Sequence, residues 1–347
     1  MHNVTLTPSG QQFQVEEGET ILAAALRQGL VLPYGCKNGA CGSCKGKILE
    51  GSVDYGVYQK RVFTDEEKAQ GKALFCQAKP RGDVVIEARA VGAAKGIVIK
   101  TLPCRVQALE RVADDVIVLR VKLPANEKMK FLAGQFIEFL LKDGSRRSFS
   151  MANPPHEAEL IELHVRRVVG GNFTQHVFEK MKERDILRFE GPLGVFFLRE
   201  ESPKPIVLVA SGTGFAPIKS LVEDAFQRGL ERPMTLYWGG RRPKDLYLNA
   251  LAEKWASDHA SFKYVPVISD AFPEDQWQGR TGFVHRAVME DFPDLSGHQV
   301  YACGVPIMVD SARADFTAAC KLPEDEFYAD SFTTQADLAQ PAADSPR

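Results

Sequence analysis

Residues 34–47, YGCKNGACGSCKGK, hold three of the seven cysteines of this 347-residue chain. Cys36, Cys41 and Cys44 follow C-x4-C-x2-C spacing, which places three thiols on one short loop. Gly35 precedes the first cysteine, and Gly39 and Gly42 lie between the cysteines. Glycine adopts positive φ without steric cost, so the loop can turn tightly and leave backbone N–H groups free to donate to sulfur. The loop is therefore expected to wrap a group that needs several thiolates.

A [2Fe–2S] cluster needs four thiolates, and plant-type clusters take three from a loop with this spacing. The fourth ligand is expected to be Cys76, in the sequence ALFCQAKP, far along the chain. A zinc site and a disulfide pair are the alternatives, but zinc motifs usually come as two short pairs and disulfide frameworks are typical of small secreted domains. The spacing favours an iron–sulfur cluster. Its expected ligands are Cys36, Cys41, Cys44 and Cys76.

Composition indicates a soluble protein of several domains, with 44% hydrophobic and 25% charged residues. The net charge of −2 and the lack of basic runs argue against nucleic-acid binding. The sequence shows no secretory signal and no apolar stretch long enough to span a bilayer. Because four cysteines are assigned to a cluster, a reducing cytoplasm is the expected location.

Residues 1–92 are predicted to form a β-grasp [2Fe–2S] ferredoxin domain. Residues 4–6 and 13–15 alternate like a hairpin, Thr20 can cap a helix, and a strand is expected after Cys76 at residues 84–86.

Three lysines lie in or beside the cluster loop, namely Lys37, Lys45 and Lys47. These lysines have two interpretations. They either belong to a solvated loop or form a positively charged rim where an acidic electron-acceptor protein docks.

Residues 101–200 are predicted to form a small antiparallel β-barrel, because short β-rich runs alternate with glycine and proline turns. Within it, RRSFSMANPP at residues 146–155 contains Arg147, Phe149 and Ser150. A flavin site needs a cation for phosphate, a flat ring and a small hydrogen-bonding group, and one strand can present them. An edge strand with an exposed arginine is the alternative.

A second candidate phosphate site in this region is the sequence GGNFTQHVFEKM. Gly170 and Gly171 form a turn, and a helix is expected to start at residues 172–174. A helix N-terminus offers free N–H groups and a positive dipole end to phosphate. An ordinary capped helix is the alternative.

Residues 203–333 change to a βαβα pattern, predicted as a parallel-sheet α/β nucleotide-binding domain. The apolar run PIVLVA indicates a strand buried on both faces, followed by Gly212, Thr213 and Gly214 and then a helix. Such a turn brings backbone amides to a dinucleotide pyrophosphate, although Pro217 stands where a third glycine would be. Residues 334–347 are expected to be a disordered tail.

Together these features resemble the NAD(P)H-dependent ferredoxin reductases that carry a fused N-terminal plant-type [2Fe–2S] domain. The resemblance spans residues 4–332 and implies a multidomain α+β and α/β fold, with a ferredoxin domain, an antiparallel flavin-binding β-barrel and a parallel-sheet nucleotide-binding domain. The domain order is that of reductase components of ring-hydroxylating dioxygenases and multicomponent monooxygenases. RRSFSMAN, YWGGRRPKDLY, YACGVPIMV and FYADSF further resemble members that serve a pyridoxamine-phosphate dehydrase of deoxysugar synthesis.

The resemblance also implies roles for individual residues. Arg147, Phe149 and Ser150 would bind the flavin phosphate and isoalloxazine, with Phe in place of the commoner Tyr. Residues near the flavin pyrophosphate would be Gly170, Gly171 and Thr174. The nicotinamide site would combine residues 212–217 with a later C-G-x-P, whose first two residues are Cys303 and Gly304. The aromatic beside the flavin would be Phe332, with Phe327 and Tyr328 less favoured.

The implied function is an oxidoreductase that passes electrons from NAD(P)H through FAD and the [2Fe–2S] cluster to a partner protein. The resemblance favours FAD over FMN. NADH is favoured over NADPH, although Arg241 and Arg242 follow a strand where an arginine could meet a 2′-phosphate, because Asp245 is nearby. The partner could be a deoxysugar dehydrase or an oxygenase component, and the sequence does not separate the two. A redox-sensing module with a degenerate cofactor site is disfavoured by the intact motifs.

Overall fold

The computed structural model describes residues 1–88, 91 and 96–333, and it divides into two compact units. The first unit comprises Met1–Gly96 with the described residues from Ala329 onward, and the second comprises Ile97–Tyr328. Residue 92, the predicted end of the first domain, and the tail predicted at residues 334–347 lie outside the described residues.

The first unit contains a mixed sheet with strand order β2-β1-β7-β3-β5 and a small β4-β6 ribbon. Its strands are β1 (His2–Thr7), β2 (Gln11–Val15), β3 (Lys45–Glu50), β4 (Val53–Asp54), β5 (Lys72–Leu74), β6 (Lys79–Pro80) and β7 (Val84–Glu87), and its helices are α1 (Ile21–Arg27) and α2 (Asp65–Ala69). The predicted antiparallel hairpin of β1 and β2 is confirmed. So is the helix cap, because Thr20 Oγ1 accepts a hydrogen bond from Ala23 N at 3.2 Å.

The second unit begins with a six-stranded antiparallel sheet of order β11-β10-β13-β8-β9-β12. Its elements are β8 (Lys100–Ala113), β9 (Val116–Lys122), β10 (Phe136–Leu140), β11 (Arg146–Ser150), β12 (Leu160–Arg166), α3 (Asn172–Glu179) and β13 (Ile186–Leu193). Met151, just after β11, bridges to Leu163 of β12. This bridge joins the two edge strands, so the sheet closes into the predicted barrel around fully buried side chains such as Phe139 and Phe189.

The second sheet of this unit has strand order β17-β16-β15-β14-β18-β19. Its elements are β14 (Ile206–Ser211), α4 (Phe215–Gln227), β15 (Met234–Gly240), α5 (Asn249–Asp258), β16 (Phe262–Ile268), β17 (Arg280–Thr281), α6 (Val284–Asp291), β18 (Gln299–Gly304), α7 (Pro306–Ala319) and β19 (Phe327–Ser331), of which only Phe327 and Tyr328 fall within this unit. β14 pairs in parallel with both β15 and β18, so its continuous apolar run is buried, as predicted. The chain order reverses between β14 and β18, the point where open α/β sheets bind ligands.

Across the described residues, every helix is too short or too polar to cross a membrane.

Candidate cofactor sites

The four predicted cluster cysteines lie together in the first unit as free thiols, with Cys36 partly exposed and the other three buried. They form two pairs. A hydrogen bond from the Cys36 thiol lowers the pKa of Cys41, and a hydrogen bond from the Cys44 thiol lowers the pKa of Cys76. Four thiols in two contacting pairs match the ligand set of a two-iron cluster.

The backbone of the loop also fits a sulfur-rich group. Cys36 N donates to Cys41 Sγ and Ala40 N donates to Cys36 Sγ, both at 3.4 Å. Gly39 has φ +78°, and a Cβ there would lie 2.7 Å from the Val57 carbonyl oxygen, so only glycine fits.

Two further observations concern the alternatives to a cluster. Among the described side chains, no group of three or more His, Cys, Asp or Glu residues is placed to hold a single metal ion. All seven cysteines are free, so the structure contains no disulfide framework either.

The three lysines of the predicted positive rim differ in their surroundings. Lys45 Nζ lies 2.6 Å from Glu67 Oε1, so its charge is locally offset. Lys47 is exposed. Lys37 is partly exposed and has a left-handed backbone with φ 58°. Of the two lysines at the start of β3, Lys47 therefore contributes more to the positive charge of the loop than Lys45 does.

The predicted flavin strand is β11, at one edge of the barrel sheet. Phe149 packs between Phe139 and Phe173, with ring centroids 5.9 and 5.5 Å away, and Ser150 is buried. Arg147 forms no ion pair among the described residues, whereas Arg146 lies 3.2 Å from both Glu138 and Glu190. Arg147 is thus the cation of this strand that remains available for a phosphate.

The second candidate phosphate site is the turn before α3. Gly170 has φ +74° and Gly171 caps the helix. The Thr174 hydroxyl accepts from Val168 N and donates to Gly171 O, both at 3.1 Å. The hydroxyl therefore holds the turn, while the amides at the start of α3 remain the groups suited to phosphate.

The glycine-rich turn joins β14 to α4 at the reversal of strand order. Gly212–Gly214 form a single 3₁₀ turn. The helix begins at Phe215, so Pro217 lies inside its first turn and not before it. Proline is tolerated there because that N–H has no partner within the helix.

The second predicted nicotinamide segment, at the end of β18, packs directly against this turn. A Cβ on Gly214 would lie 2.1 Å from Cys303 O, and one on Gly304 would lie 2.1 Å from Ser211 Oγ. Ser211 Oγ also accepts a hydrogen bond from Val305 N at 3.1 Å. The two segments, which the sequence separates widely, thus form one backbone-lined site.

Arg166, the last residue of β12, was not predicted from the sequence. Its Nη1 lies 3.2 Å from where a Cβ on Gly212 would be. Nε lies 3.3 Å from Asp115 Oδ2, yet Nε and Nη2 are buried and make no hydrogen bond within the described chain. Buried donors beside a glycine turn fit a nucleotide phosphate. In sequence, this arginine looks like any charged residue that ends a strand.

The two residues expected to act on the nicotinamide and flavin are placed as follows. Cys303 is fully buried near the carboxyl end of β18. Phe332 directly follows β19 and is partly buried. Their roles stay predictions.

The arginines after β15 are not equivalent. Arg242 donates to both carboxylate oxygens of Asp275, at 2.5 and 2.6 Å, and stacks on Phe272 with its guanidinium carbon 3.5 Å from the ring centroid. It is therefore already engaged. Arg241 is exposed, and its carbonyl oxygen accepts from the backbone N of Asp270 at 2.9 Å. Asp270, whose exposed carboxylate follows the next strand, β16, therefore lies beside Arg241.

Three family models match the chain in order. They are the 2Fe-2S iron-sulfur cluster binding domain at residues 4–81, the oxidoreductase FAD-binding domain at residues 103–198 and the oxidoreductase NAD-binding domain at residues 208–314. The fold and its sites therefore define an iron–sulfur flavoprotein oxidoreductase that takes electrons from NAD(P)H. The predicted fold class and the three cofactors are confirmed.

The chain belongs to the NAD(P)H-dependent ferredoxin reductase family with an N-terminal plant-type [2Fe–2S] domain. It is 42% identical over 330 residues to the CDP-6-deoxy-L-threo-D-glycero-4-hexulose-3-dehydrase reductase of Yersinia pseudotuberculosis serotype I (strain IP32953), covering 95% of this chain and 98% of that one. It is 37% identical over 343 residues to the phenol 2-monooxygenase reductase component of Pseudomonas sp. (strain CF600), covering 97% and 96%. The crystal structure of the Amycolatopsis cytochrome P450 reductase GcoB superposes with a TM-score of 0.77 at 33% identity, covering 96% and 99%.

Proposed function

We propose that this chain takes electrons from NADH and delivers them singly to a deoxysugar dehydrase. The observation that carries the proposal is the presence on one chain of three sites suited to the three cofactors: paired thiols, a flavin strand with an available arginine, and a glycine turn beside buried arginine donors. When bound, FAD accepts a hydride and releases electrons one at a time, which the cluster can carry onward.

In the first unit, the four cysteines would hold the cluster through their thiolates; they lie as two contacting pairs, Cys36 with Cys41 and Cys44 with Cys76. Burial of three of the four sulfurs excludes water, and the amides that donate to Cys36 and Cys41 stabilise negative charge on sulfur. Both effects tune the potential of the bound cluster.

In the second unit, we assign the flavin to β11 and the turn before α3. Arg147 binds phosphate, Phe149 packs against the ring system, and Ser150 offers a hydroxyl near the reactive edge. Gly170 and Gly171 let the backbone amides approach the pyrophosphate, while Thr174 fixes the turn through its two hydrogen bonds.

We assign the dinucleotide to the backbone-lined site at the ends of β14 and β18. The turn Gly212–Gly214 and the start of α4, with Pro217 in its first turn, present backbone N–H groups to the pyrophosphate, and Arg166 supplies a cation. Gly304 allows the two segments to meet. Cys303 would border the nicotinamide, and Phe332 is the candidate for the aromatic that the family places near the flavin.

Preference for NADH follows from the charges beyond β15 and β16. Arg242 is held by Asp275, which leaves Arg241 as the one arginine of the pair able to meet a 2′-phosphate. The Asp270 carboxylate follows the neighbouring strand and repels that phosphate. NADH carries no such phosphate, so the same carboxylate does not penalise it.

The dehydrase is favoured as acceptor by the segments RRSFSMAN, YWGGRRPKDLY, YACGVPIMV and FYADSF, which resemble CDP-6-deoxy-Δ3,4-glucoseen reductase. The similar Yersinia protein is a reductase for a CDP-hexulose dehydrase by name. An oxygenase component is the second candidate, because the phenol monooxygenase reductase aligns over as much of the chain. We place the exchange in the cytoplasm, because seven cysteines, four of them assigned to the cluster, fit a reducing compartment. We place docking at the cluster loop, with Lys37 and Lys47 facing an acidic surface.

Anaerobic stopped-flow mixing tests the acceptor. The NADH-reduced chain is mixed with a purified CDP-hexulose 3-dehydrase or with a purified oxygenase component of phenol 2-monooxygenase. We expect reoxidation by the dehydrase to be at least about tenfold faster at equal concentration, because specific docking raises the association rate. A faster reaction with the oxygenase would establish the second candidate instead, and transfer to neither would refute both.

A further inference from the structure

A buried charged network in the second unit ties α4 to the chain that follows the flavin strand. Lys219 on α4 is only 9% exposed. Its ammonium group has three acceptors within reach: Glu223 Oε2 at 2.8 Å, Glu162 Oε1 at 3.2 Å and Ala152 O at 3.3 Å. An ammonium has three protons to donate, so the group is fully satisfied by two carboxylates and one backbone carbonyl.

A second contact lies beside the first. Ser220 is completely buried and its Oγ donates to Asn153 O at 2.8 Å. Asn153 is itself fixed, because its Oδ1 accepts from Glu162 N at 2.9 Å. Two consecutive residues of α4 therefore hold two consecutive residues, Ala152 and Asn153, of the segment that leaves β11.

These attachment points are close to both cofactor sites. Lys219 lies about one helical turn, roughly 6 Å, beyond Phe215 at the start of α4. Ala152 lies roughly 7 Å of extended chain beyond Ser150 at the end of β11. A shift of α4 against this segment would therefore move the glycine turn relative to the flavin strand by a similar distance.

A second series of contacts connects β12 to the glycine turn. It begins at His164, whose side chain is buried. His164 Nε2 lies 3.3 Å from Glu162 Oε1, and Nδ1 lies 2.8 Å from the Tyr247 hydroxyl. Burial lowers the pKa of His164. A carboxylate can only accept, so Nε2–H donates to Glu162, while Nδ1 contacts the tyrosine hydroxyl.

Tyr247 extends this series of contacts from His164 to the glycine turn. Its ring stands edge-on to Phe215 and Trp238, at centroid distances of 6.2 and 5.2 Å. Trp238 Nε1 donates to Gly212 O at 3.0 Å. Strand β12 thus contacts the nucleotide-binding turn through packed rings as well as through Lys219.

Because the members of this network are buried and charged, the loss of one side chain should displace the others. Burial alone would raise the pKa of Glu162, but the hydrogen bond with His164 and the charges of Lys219 and Arg120 lower it. Burial also raises the pKa of Glu223, against the opposing effect of Lys219. Removing the ammonium leaves two buried carboxylates without their shared cation, an arrangement that structures avoid by moving apart.

We propose that Lys219 and Glu162 are positioning residues for hydride transfer, which set the distance between the nicotinamide and the flavin. The inference rests on the proposed placement of FAD on β11 and of the dinucleotide on the glycine turn. Hydride transfer requires close, aligned partners, and a misplacement of about 1 Å can slow such a step on the order of a hundredfold. Neither residue contacts the reacting atoms; both act through the backbone that they hold.

The test compares Lys219→Met with Lys254→Met in the full-length, flavin-loaded chain. Lys254 is a matched control because it forms an exposed ion pair with Asp258 one helical turn along α5. For Lys219→Met we expect the limiting rate of flavin reduction at saturating NADH to fall at least about tenfold, with little change in NADH affinity or flavin content. The long-wavelength charge-transfer absorbance of the reduced flavin with NAD⁺ should weaken, while the flavin potential stays constant.

A Lys219→Met protein that melts earlier but keeps the parental limiting rate and charge-transfer absorbance would show a purely structural role and overturn the proposal. If that variant does not fold or retain flavin, Glu162→Gln takes its place and must show the same loss of limiting rate. The Lys219→Met, Glu162→Gln double variant should recover part of the rate, because only one of the two buried carboxylates, Glu223, then lacks its cation. A double variant whose loss of rate equals the product of the two single losses would contradict the coupling. Failure of the parental chain to reduce flavin with NADH would refute the proposed function instead.

Discussion

The cluster loop and the glycine-rich turn both place glycines where two backbone segments approach closely, yet they are assembled differently. Three of the four cluster cysteines fall within residues 34–47, and the loop amides donate to its own sulfurs. The nucleotide turn is completed by groups from other strands: Cys303 O faces Gly214, and the Arg166 guanidinium reaches Gly212.

The difference shows where each chemistry is encoded. A cluster needs four thiolates at fixed spacing, so a cluster site can be recognised from a short sequence motif. Hydride transfer needs two cofactors held at a defined separation, so its determinants are packing contacts between strands and helices far apart in sequence. Substitutions of the cluster cysteines should therefore remove one electron-transfer step and leave the other steps intact. Substitutions at the glycine-rich turn should instead change the rate of hydride transfer.

Cys76→Ser should have the largest effect, because it breaks the local site. Reduction of cytochrome c should fall more than about a hundredfold as the cluster is lost, while NADH oxidation by a two-electron dye stays within about twofold, since the flavin lies upstream. Steady-state assays with both acceptors measure this, with Cys320→Ser as a control for a buried cysteine outside the cluster. Equal loss of the two activities would mean that the order of carriers is wrong.

Gly214→Ala tests the non-local site. Its new Cβ would clash with Cys303 O, 2.1 Å away, and push β18 from the turn. Flavin reduction by NADH should slow on the order of a hundredfold, with the cluster spectrum unchanged. The matched control is Gly297→Ala, where a Cβ meets no atom within 4 Å. Similar rapid-mixing rates for the two variants would argue against the assignment of this turn.

Arg147→Ala should weaken FAD binding roughly ten- to a hundredfold, because one charge-assisted phosphate contact is lost. Fluorescence of FAD released on dialysis measures it. Arg146→Ala is the control, since that neighbour is engaged by Glu138 and Glu190. A dialysed Arg147→Ala protein that keeps stoichiometric flavin would show that the phosphate lies elsewhere.

Asp270→Asn should raise kcat/KM for NADPH relative to NADH by about three- to tenfold, because an exposed carboxylate repels the 2′-phosphate only moderately through water. The measurement is steady-state kinetics with both nucleotides. Asp258→Asn, on the exposed surface of α5, should leave the ratio unchanged. An unaltered ratio in Asp270→Asn would place coenzyme selection at other residues.

Lys47→Glu should give the smallest effect, a fall of about two- to fivefold in the association rate with the acceptor at low salt. The difference should vanish as ionic strength rises, because exposed charges are screened over about 10 Å at 0.1 M salt. Lys254→Glu, on α5, controls for net charge. Salt-independent rates would leave these lysines as a solvated loop without a docking role.

Much of the fold was predictable because its signals are local. The run PIVLVA predicted the central strand β14, and the Thr20 cap and Gly171 turn predicted helix starts. The 14-residue strand β8, KTLPCRVQALERVA, was not singled out, because charged residues interrupt its apolar pattern.

For the candidate site, the sequence could indicate only those residues that belong to short motifs. The four cysteines and both glycine turns carry fixed spacings, whereas Arg166 and the pair of Glu162 with Lys219 gain meaning only when β12 meets the glycine turn and α4. From the sequence, Arg242 was expected to be available for a phosphate. The fold places Asp275 beside it, and the two side chains form an ion pair.

An anaerobic NADH titration of the purified chain, followed by absorbance and by electron paramagnetic resonance, tests the central claim most directly. One flavin and one [2Fe–2S] cluster per chain hold three electrons, so both chromophores should be fully reduced at about 1.5 equivalents of NADH, provided that the cluster potential is not far below that of NADH. A rhombic signal of the reduced cluster should accompany the flavin bleaching. Flavin bleaching complete at one equivalent, with a cluster that dithionite reduces but NADH never does, would contradict the proposed path.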